Sequence, residues 1–245
     1  MQRDDVVVGC LMTRREALAL IGASSAALLT GWPGPDGAAA ARDGLLPSCV
    51  VRPEQTEGPY FVDERLDRSD IRSDPGGGAV KAGIPLRLAI KVSRIDGSRC
   101  TPLAGAFVDL WHCDALGVYS DVEDPGFNTI GQKFLRGFQR TDPAGTAQFT
   151  TIYPGWYHGR TVHIHFKIRT APSAAPGYQF TSQLYFDDAL TDRVHALAPY
   201  TRKGRRAVRN RDDGIFANGG QHLMLELNET SQGYAARFDV GLQMA

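Results

Sequence analysis

Residues Ile84–Ile95 read IPLRLAIKVSRI. Apolar and polar side chains alternate along this run, which is the two-residue period of a half-buried strand. Asp96-Gly97 follows as a turn signal. The same grammar repeats outward from it. Ala106–His112 (AFVDLWH) alternates again, and Thr146–Ile152 (TAQFTTI) follows the turn Asp142-Pro143-Ala144-Gly145. Val162–Arg169 (VHIHFKIR), Gln183–Phe186, His222–Leu227 and Tyr234–Leu242 continue the series, and Thr191–Leu197 reads as a short helix. Many short strands separated by turn residues predict an all-β chain: a β-sandwich of mainly antiparallel strands with long loops and one short helix.

The 245 residues, 42% hydrophobic and 22% charged, exclude wholesale disorder. Basic and acidic residues balance at a formal net charge of +0, so no nucleic-acid partner is expected. The cluster Arg202, Lys203, Arg205, Arg206, Arg209 and Arg211 reads as a solvated face. Residues 17–31 (ALALIGASSAALLTG) follow the pair Arg14-Arg15 and precede Ala38–Ala41. That order of charge, apolar run and small residues predicts a twin-arginine-type signal peptide over 1–41, and hence export to the cell envelope or beyond. The run is shorter than the about 20 apolar residues of a membrane span, so no stable insertion is expected once it is removed. An extended arm is predicted over 42–83, with Gly76-Gly77-Gly78 inside it, and a catalytic β-sandwich over 84–245. Cys10 lies in the signal. Cys49, Cys100 and Cys113 allow one disulfide and one leftover thiol, with the pairing open.

The chemistry concentrates around Thr161-Val162-His163-Ile164-His165-Phe166. On a strand, His163 and His165 share a face and can converge on one metal ion. A carboxylate a few residues later would complete a cupin-like or zinc-hydrolase site, but no Asp or Glu occurs until Asp187. Oxygen donors are instead phenolic. Tyr157 lies in the turn Pro154–Arg160, directly upstream, and Tyr119 follows the strand ending at His112. Phenolates are hard, strongly donating ligands that suit a ferric ion, and a trivalent metal can displace their protons.

Taken together, these segments resemble the intradiol ring-cleavage dioxygenases, which open catechols between their two hydroxyls. The resemblance is carried by Pro53–Phe61 (PEQTEGPYF), Pro102–Ser120 (PLAGAFVDLWHCDALGVYS), Pro154–Tyr157 (PGWY) with Arg160–Phe166 (RTVHIHF), and Ser182–Phe186 (SQLYF). It implies one mononuclear non-haem Fe(III) per chain, held by Tyr119, Tyr157, His163 and His165. It also implies catalytic roles for Arg160, which would stabilise charge developing on the ring, for Gln183, which would hold Arg160, and for Tyr157, which would leave the metal with a substrate proton. The implied substrates are a catechol-type aromatic and O2, and the implied product is a muconate-type diacid. The short stretch between Tyr157 and His163, together with the absence of a helical dimerisation region, places the chain nearer the exported single-sandwich members. A homo-oligomer is compatible with this reading, and the particular catechol stays open.

Other assignments accompany it. His112, His195 and His222 read as structural or surface groups, Trp111 and Trp156 as wall and core, and His158 and Tyr60 as residues that could line the pocket. The alternative is a secreted, non-catalytic β-sandwich that binds a ligand or carbohydrate. The two readings part on geometry, because only the first requires two phenol oxygens and two imidazole nitrogens to meet at one point.

Overall fold

Strand β1 (Pro85–Asp96) lies at the centre of the first sheet because both of its edges are occupied. The computed structural model describes residues 49–171 and 176–244, so the signal-like segment 1–41 lies outside the described residues. β2 (Arg99–Pro102) returns from the Asp96-Gly97 turn and pairs antiparallel with the end of β1. β7 (Thr146–Ile152) pairs antiparallel with the first part of the same edge. On the opposite edge β11 (Gly233–Gln243) runs parallel to β1, and β10 (Leu227–Thr230) closes the sheet beyond it. The second sheet has the order β6 (Arg136–Arg140), β3 (Phe107–Trp111), β8 (His163–Arg169), β9 (Gln179–Tyr185), all antiparallel. A two-stranded hairpin of β4 (Glu123–Asp124) and β5 (Phe127–Asn128) stands apart.

The alternation that predicts these strands also packs them. Leu86, Leu88, Ile90 and Val92 of β1 face Val108, Leu110, Ile164, Phe166 and Ile168 of the second sheet in one apolar core. Each such side chain contributes about 1.5–3 kcal/mol by leaving water. The architecture is therefore the expected all-β sandwich with mainly antiparallel pairing, and the β1–β11 pair is its parallel exception.

Local differences from the sequence reading have identifiable causes. The helix α1 spans Asp188–His195 and starts earlier than Thr191, because the Asp187 side chain accepts the Leu190 amide at 2.8 Å and caps it. His222–Leu227 is not a strand. It comprises the end of a 3-10 turn (Gly220–His222), a single bridge from Met224 to Tyr185, and then the start of β10 at Leu227. Strands β2 and β6 were not expected, since they are short and β6 opens on Arg136-Gly137. Among the described residues, no helix is long and apolar enough to cross a membrane.

The arm is ordered by the sandwich rather than by strands of its own. The Gln55 amide donates to Thr181 O at 2.9 Å, along the outer edge of β9. Asp67 and Asp70 bridge to Phe138 and Thr150, and Ile71 is fully buried. Cys49 pairs with Cys100, which resolves the open pairing and leaves Cys113 as a buried free thiol. That bond ties the start of the arm to β2 across 51 positions of sequence. Removing it in a Cys49→Ser/Cys100→Ser variant is expected to cost about 3 kcal/mol, or roughly 6–12 °C of melting temperature. Thermal melts of the two proteins check this, and an unchanged midpoint would show that the crosslink contributes nothing.

Candidate metal centre

The period of β8 divides its side chains between two environments. Ile164, Phe166 and Ile168 enter the core, while His163 and His165 point to the other face of the sheet. That second face is also covered, so both imidazoles are almost fully buried, at 2% and 1% exposure. The antiparallel register sets Trp111 and Gln183 beside His165, and Tyr185 beside His163. The Trp111 ring stacks on His165 with centroids 4.9 Å apart and an interplanar angle of 8°, which fixes the imidazole plane.

Two loops bring in the phenols. In the first, Asp114 Oδ1 accepts the Leu116 and Val118 amides at 2.9 and 3.1 Å, folding the chain tightly toward Tyr119. Gly117 sits at φ +80°, with Trp156 O only 2.1 Å from where a Cβ would be. A Cβ on Gly155 would likewise stand only 2.4 Å from the Ala115 carbonyl oxygen. These two glycines let the Tyr119 loop and the Tyr157 turn pack backbone against backbone. Their tyrosine rings then meet edge to face at 5.6 Å.

The four side chains singled out from sequence therefore converge. Tyr157 Oη lies 3.2 Å from His163 Nε2, and His163 Nε2 lies 3.0 Å from His165 Nε2. His163 Nδ1 donates to Thr161 O at 2.7 Å, so its Nε2 carries a lone pair toward the cluster. Burial, with Arg160 adding to it, lowers His163 to about 3 and keeps it neutral. His165 is also driven well down, first by burial and then by His163. Burial pushes both phenols upward, and the Tyr119 hydroxyl is buried with no hydrogen-bond partner among the described residues.

An orphaned phenol beside two neutral imidazoles is a costly arrangement in a bare protein. It is a sensible one around a cation. Donor atoms about 2.1 Å from one ion and at right angles to each other stand about 3 Å apart, close to the two separations observed. The donor set thus fits a hard, oxygen-tolerant metal. Among the described residues, no group of three or more His, Cys, Asp or Glu is placed to hold a metal, so a metal held by the two imidazoles would draw its other protein donors from the phenols.

Beside the cluster lies a hydrogen-bonded row. Arg160 Nε donates to Asp213 Oδ2 at 2.8 Å, and its Nη2 donates to Gln183 Oε1 at 2.7 Å. Gln183 Nε2 donates to Thr56 O of the arm, and the Tyr185 hydroxyl donates to Gln183 Oε1 at 3.0 Å. Asp213 also accepts the Thr161, Ile215 and Phe216 amides. Asp213 was not singled out from sequence. It follows the arginine-rich stretch, where Asp212-Asp213-Gly214 reads only as a turn.

The arm supplies Tyr60, whose ring stacks on Tyr119 at 4.3 Å and meets Tyr157 edge-on at 5.9 Å. His112 is satisfied elsewhere, by Cys113 O and Thr151 Oγ1, and His195 Nε2 is held by Pro154 O. His158 and His222 are exposed.

With this geometry in place, the likeness to known proteins can be weighed. Residues 56–203 match the family model described as Dioxygenase, a span that contains all four converging side chains. Catechol 1,2-dioxygenase 2 of Acinetobacter lwoffii is 32% identical over 161 residues, covering 55% of this chain and 51% of that protein. Catechol 1,2-dioxygenase 1 of the same organism is 28% identical over 207 residues, covering 73% and 61%. The chain thus spans between 51% and 61% of the length of these curated relatives. Among solved structures, an intradiol ring-cleavage dioxygenase from Tetranychus urticae superposes with a TM-score of 0.67 at 30% identity, covering 80% of this chain and 95% of that one. The dioxygenase domain of a carbohydrate-binding fusion from Streptomyces sp. SirexAA-E superposes at 0.56 with 26% identity, covering 80% and 100%. Sandwich, matched segment and relatives agree, and the chain belongs to the intradiol ring-cleavage dioxygenase family.

Proposed function

We propose that this protein is an exported, Fe(III)-dependent dioxygenase that opens catechol-type aromatics between their hydroxyls with O2, yielding muconate-type diacids. The observation that carries the reading is the convergence of Tyr119, Tyr157, His163 and His165 beside a fixed guanidinium. A ferric ion bound there would supply Lewis-acid activation of the catechol toward O2.

The chain's own groups then have distinct tasks. The His163 Nδ1 bond to Thr161 O keeps that ring's Nε2 lone pair aimed inward, and the Trp111–His165 stack fixes the plane of the second imidazole. Tyr119, 1% exposed, is the sequestered phenol and is suited to a permanent ligand role. Tyr157 is less buried and has His163 Nε2 as its hydrogen-bond acceptor. Burial favours its neutral form, so a Tyr157 released from a metal would hold a proton taken from a catechol hydroxyl. Arg160 cannot swing away, because Asp213 holds Nε and Gln183 holds Nη2. A cation pinned at the edge of the site is preorganised to stabilise negative charge as it develops on the substrate.

Purified protein is expected to hold stoichiometric iron and to show a visible phenolate-to-iron band that changes when catechol is added. Tyr119→Phe and His165→Ala should lose band and iron together. Arg160→Ala should keep the colour while kcat falls about a hundredfold. Full colour and turnover in either ligand variant would overturn the assignment.

Asp213 supplies a pH test. Burial alone would raise it, but hydrogen bonds from the Phe216 amide, Arg160 and the Thr161 amide hold it below its ordinary 3.8. A carboxylate depressed on folding lends stability that is complete above its unfolded value and is lost as pH falls through the lower folded value. Asp213→Asn should therefore destabilise by about 1–3 kcal/mol at neutral pH, and the difference should shrink in melts performed below pH 3.8. A deficit that stays constant across that range would refute the linkage.

Export rests on Arg14-Arg15 followed by the apolar run of residues 17–31. Replacing both arginines by lysine should retain the chain in the cytoplasm on fractionation, and unchanged secretion would exclude the twin-arginine route.

A further inference from the structure

Arg136 opens β6 and is 2% exposed, yet among the described residues no carboxylate bridges it. A buried guanidinium is normally found against an acid. Here its donors go to neutral oxygens. Nε and Nη2 donate to Ser120 O at 3.1 and 2.6 Å, and Nε also reaches Ser120 Oγ at 2.9 Å. Nη1 donates to Tyr60 O at 2.6 Å. The acids around it are committed elsewhere: Glu64 pairs with Lys133, and Asp121 accepts the Gly131 amide and also faces Lys133. The Arg136 carbonyl is held in turn by Arg68 Nε at 2.9 Å, so the side chain springs from a fixed point.

The oxygens it grips belong to two segments that meet at the candidate centre. Ser120 directly follows Tyr119, and Tyr60 is the residue whose ring stacks on Tyr119 at 4.3 Å. Across the strand register Arg136 also lies opposite Trp111, the residue stacked on His165.

We propose that Arg136 is a positioning residue for Tyr119: one guanidinium clamps the backbone beneath both rings of the Tyr60–Tyr119 stack and sets a permanent positive charge behind the phenol that would bind iron. The planar fork is suited to this because it reaches two carbonyls and a hydroxyl at once, whereas a lysine ammonium could keep the charge but not the span. Its charge is also of the sign that an anionic donor set would require nearby. The inference rests on the proposed iron-ligand role of Tyr119, and it extends that role to a residue outside the ligand set.

The test compares full-length wild type with Arg136→Lys and Arg136→Gln, with and without iron. In the iron-loaded proteins the phenolate-to-iron band should move in both variants. Iron retention against a chelator should fall about tenfold in Arg136→Lys and up to about a hundredfold in Arg136→Gln, the range found when groups that orient metal ligands are removed. In iron-free protein, amide exchange at 58–62 and 119–121 should quicken about tenfold in Arg136→Lys, as expected for the loss of charge-assisted hydrogen bonds, while β1 and β7 stay protected. An unmoved band with unchanged iron retention in folded variants overturns the proposal, and so does unchanged exchange in the iron-free pair. A wild type that binds no iron overturns the proposed function instead, and the iron-free exchange then decides the clamp separately. If Arg136→Gln does not fold, Arg136→Lys decides both measurements.

Discussion

The candidate centre depends on one constraint, which is that β8 is buried on both faces. Most strands of a sandwich give one face to the core and one to water. Here Ile164, Phe166 and Ile168 fill the core while His163 and His165 are enclosed on the reverse side by Trp111, Tyr119 and the arm. Enclosure removes the water that would otherwise satisfy imidazole and phenol. Each buried polar atom must then find a protein partner or a metal ion. Thr161 O satisfies one nitrogen of His163, while among the described residues the Tyr119 hydroxyl is left without a partner.

Everything placed around that strand bears on the same problem. The glycines at 117 and 155 allow two loops to touch where larger residues would hold them apart. Asp213 collects three backbone amides and the Arg160 guanidinium, so the cation beside the cluster is oriented by a carboxylate that is itself fully engaged. Gln183 connects that cation to the arm through Thr56 O. The arm is thus part of the site, since it contributes Tyr60 as well as an acceptor for Gln183. Arg136 joins the same segments from beneath. Low dielectric strengthens each of these contacts and makes the loss of any one of them more costly.

Much of the sandwich was legible because its signals are local. The alternation in IPLRLAIKVSRI and TAQFTTI reports strand period directly, and Asp96-Gly97 reports a hairpin between β1 and β2. The helix boundary was misplaced because a cap acts three residues ahead of the bond that it satisfies. His222–Leu227 misled for a related reason: its apolar residues Leu223 and Leu225 are buried, but from an irregular segment joined to Tyr185 by a single bridge. Strand β6 was hidden because an arginine and a glycine at its start carry no apolar period.

The sequence alone determined that His163 and His165 would share a face, because strand geometry permits nothing else at that spacing. It also narrowed the oxygen donors to tyrosines, since no carboxylate follows β8 closely. Only the tertiary structure decided that Tyr157 reaches His163 and that the Tyr119 ring stands beside Tyr157 and His165, that Cys49 rather than Cys113 pairs with Cys100, and that Asp213 and Arg136 hold the neighbouring groups in place. Apart from Tyr157 and His163, which are 6 positions apart, these contacts join residues at least 16 positions apart. No local period encodes them, because they arise from how loops close over a sheet once its core has already formed.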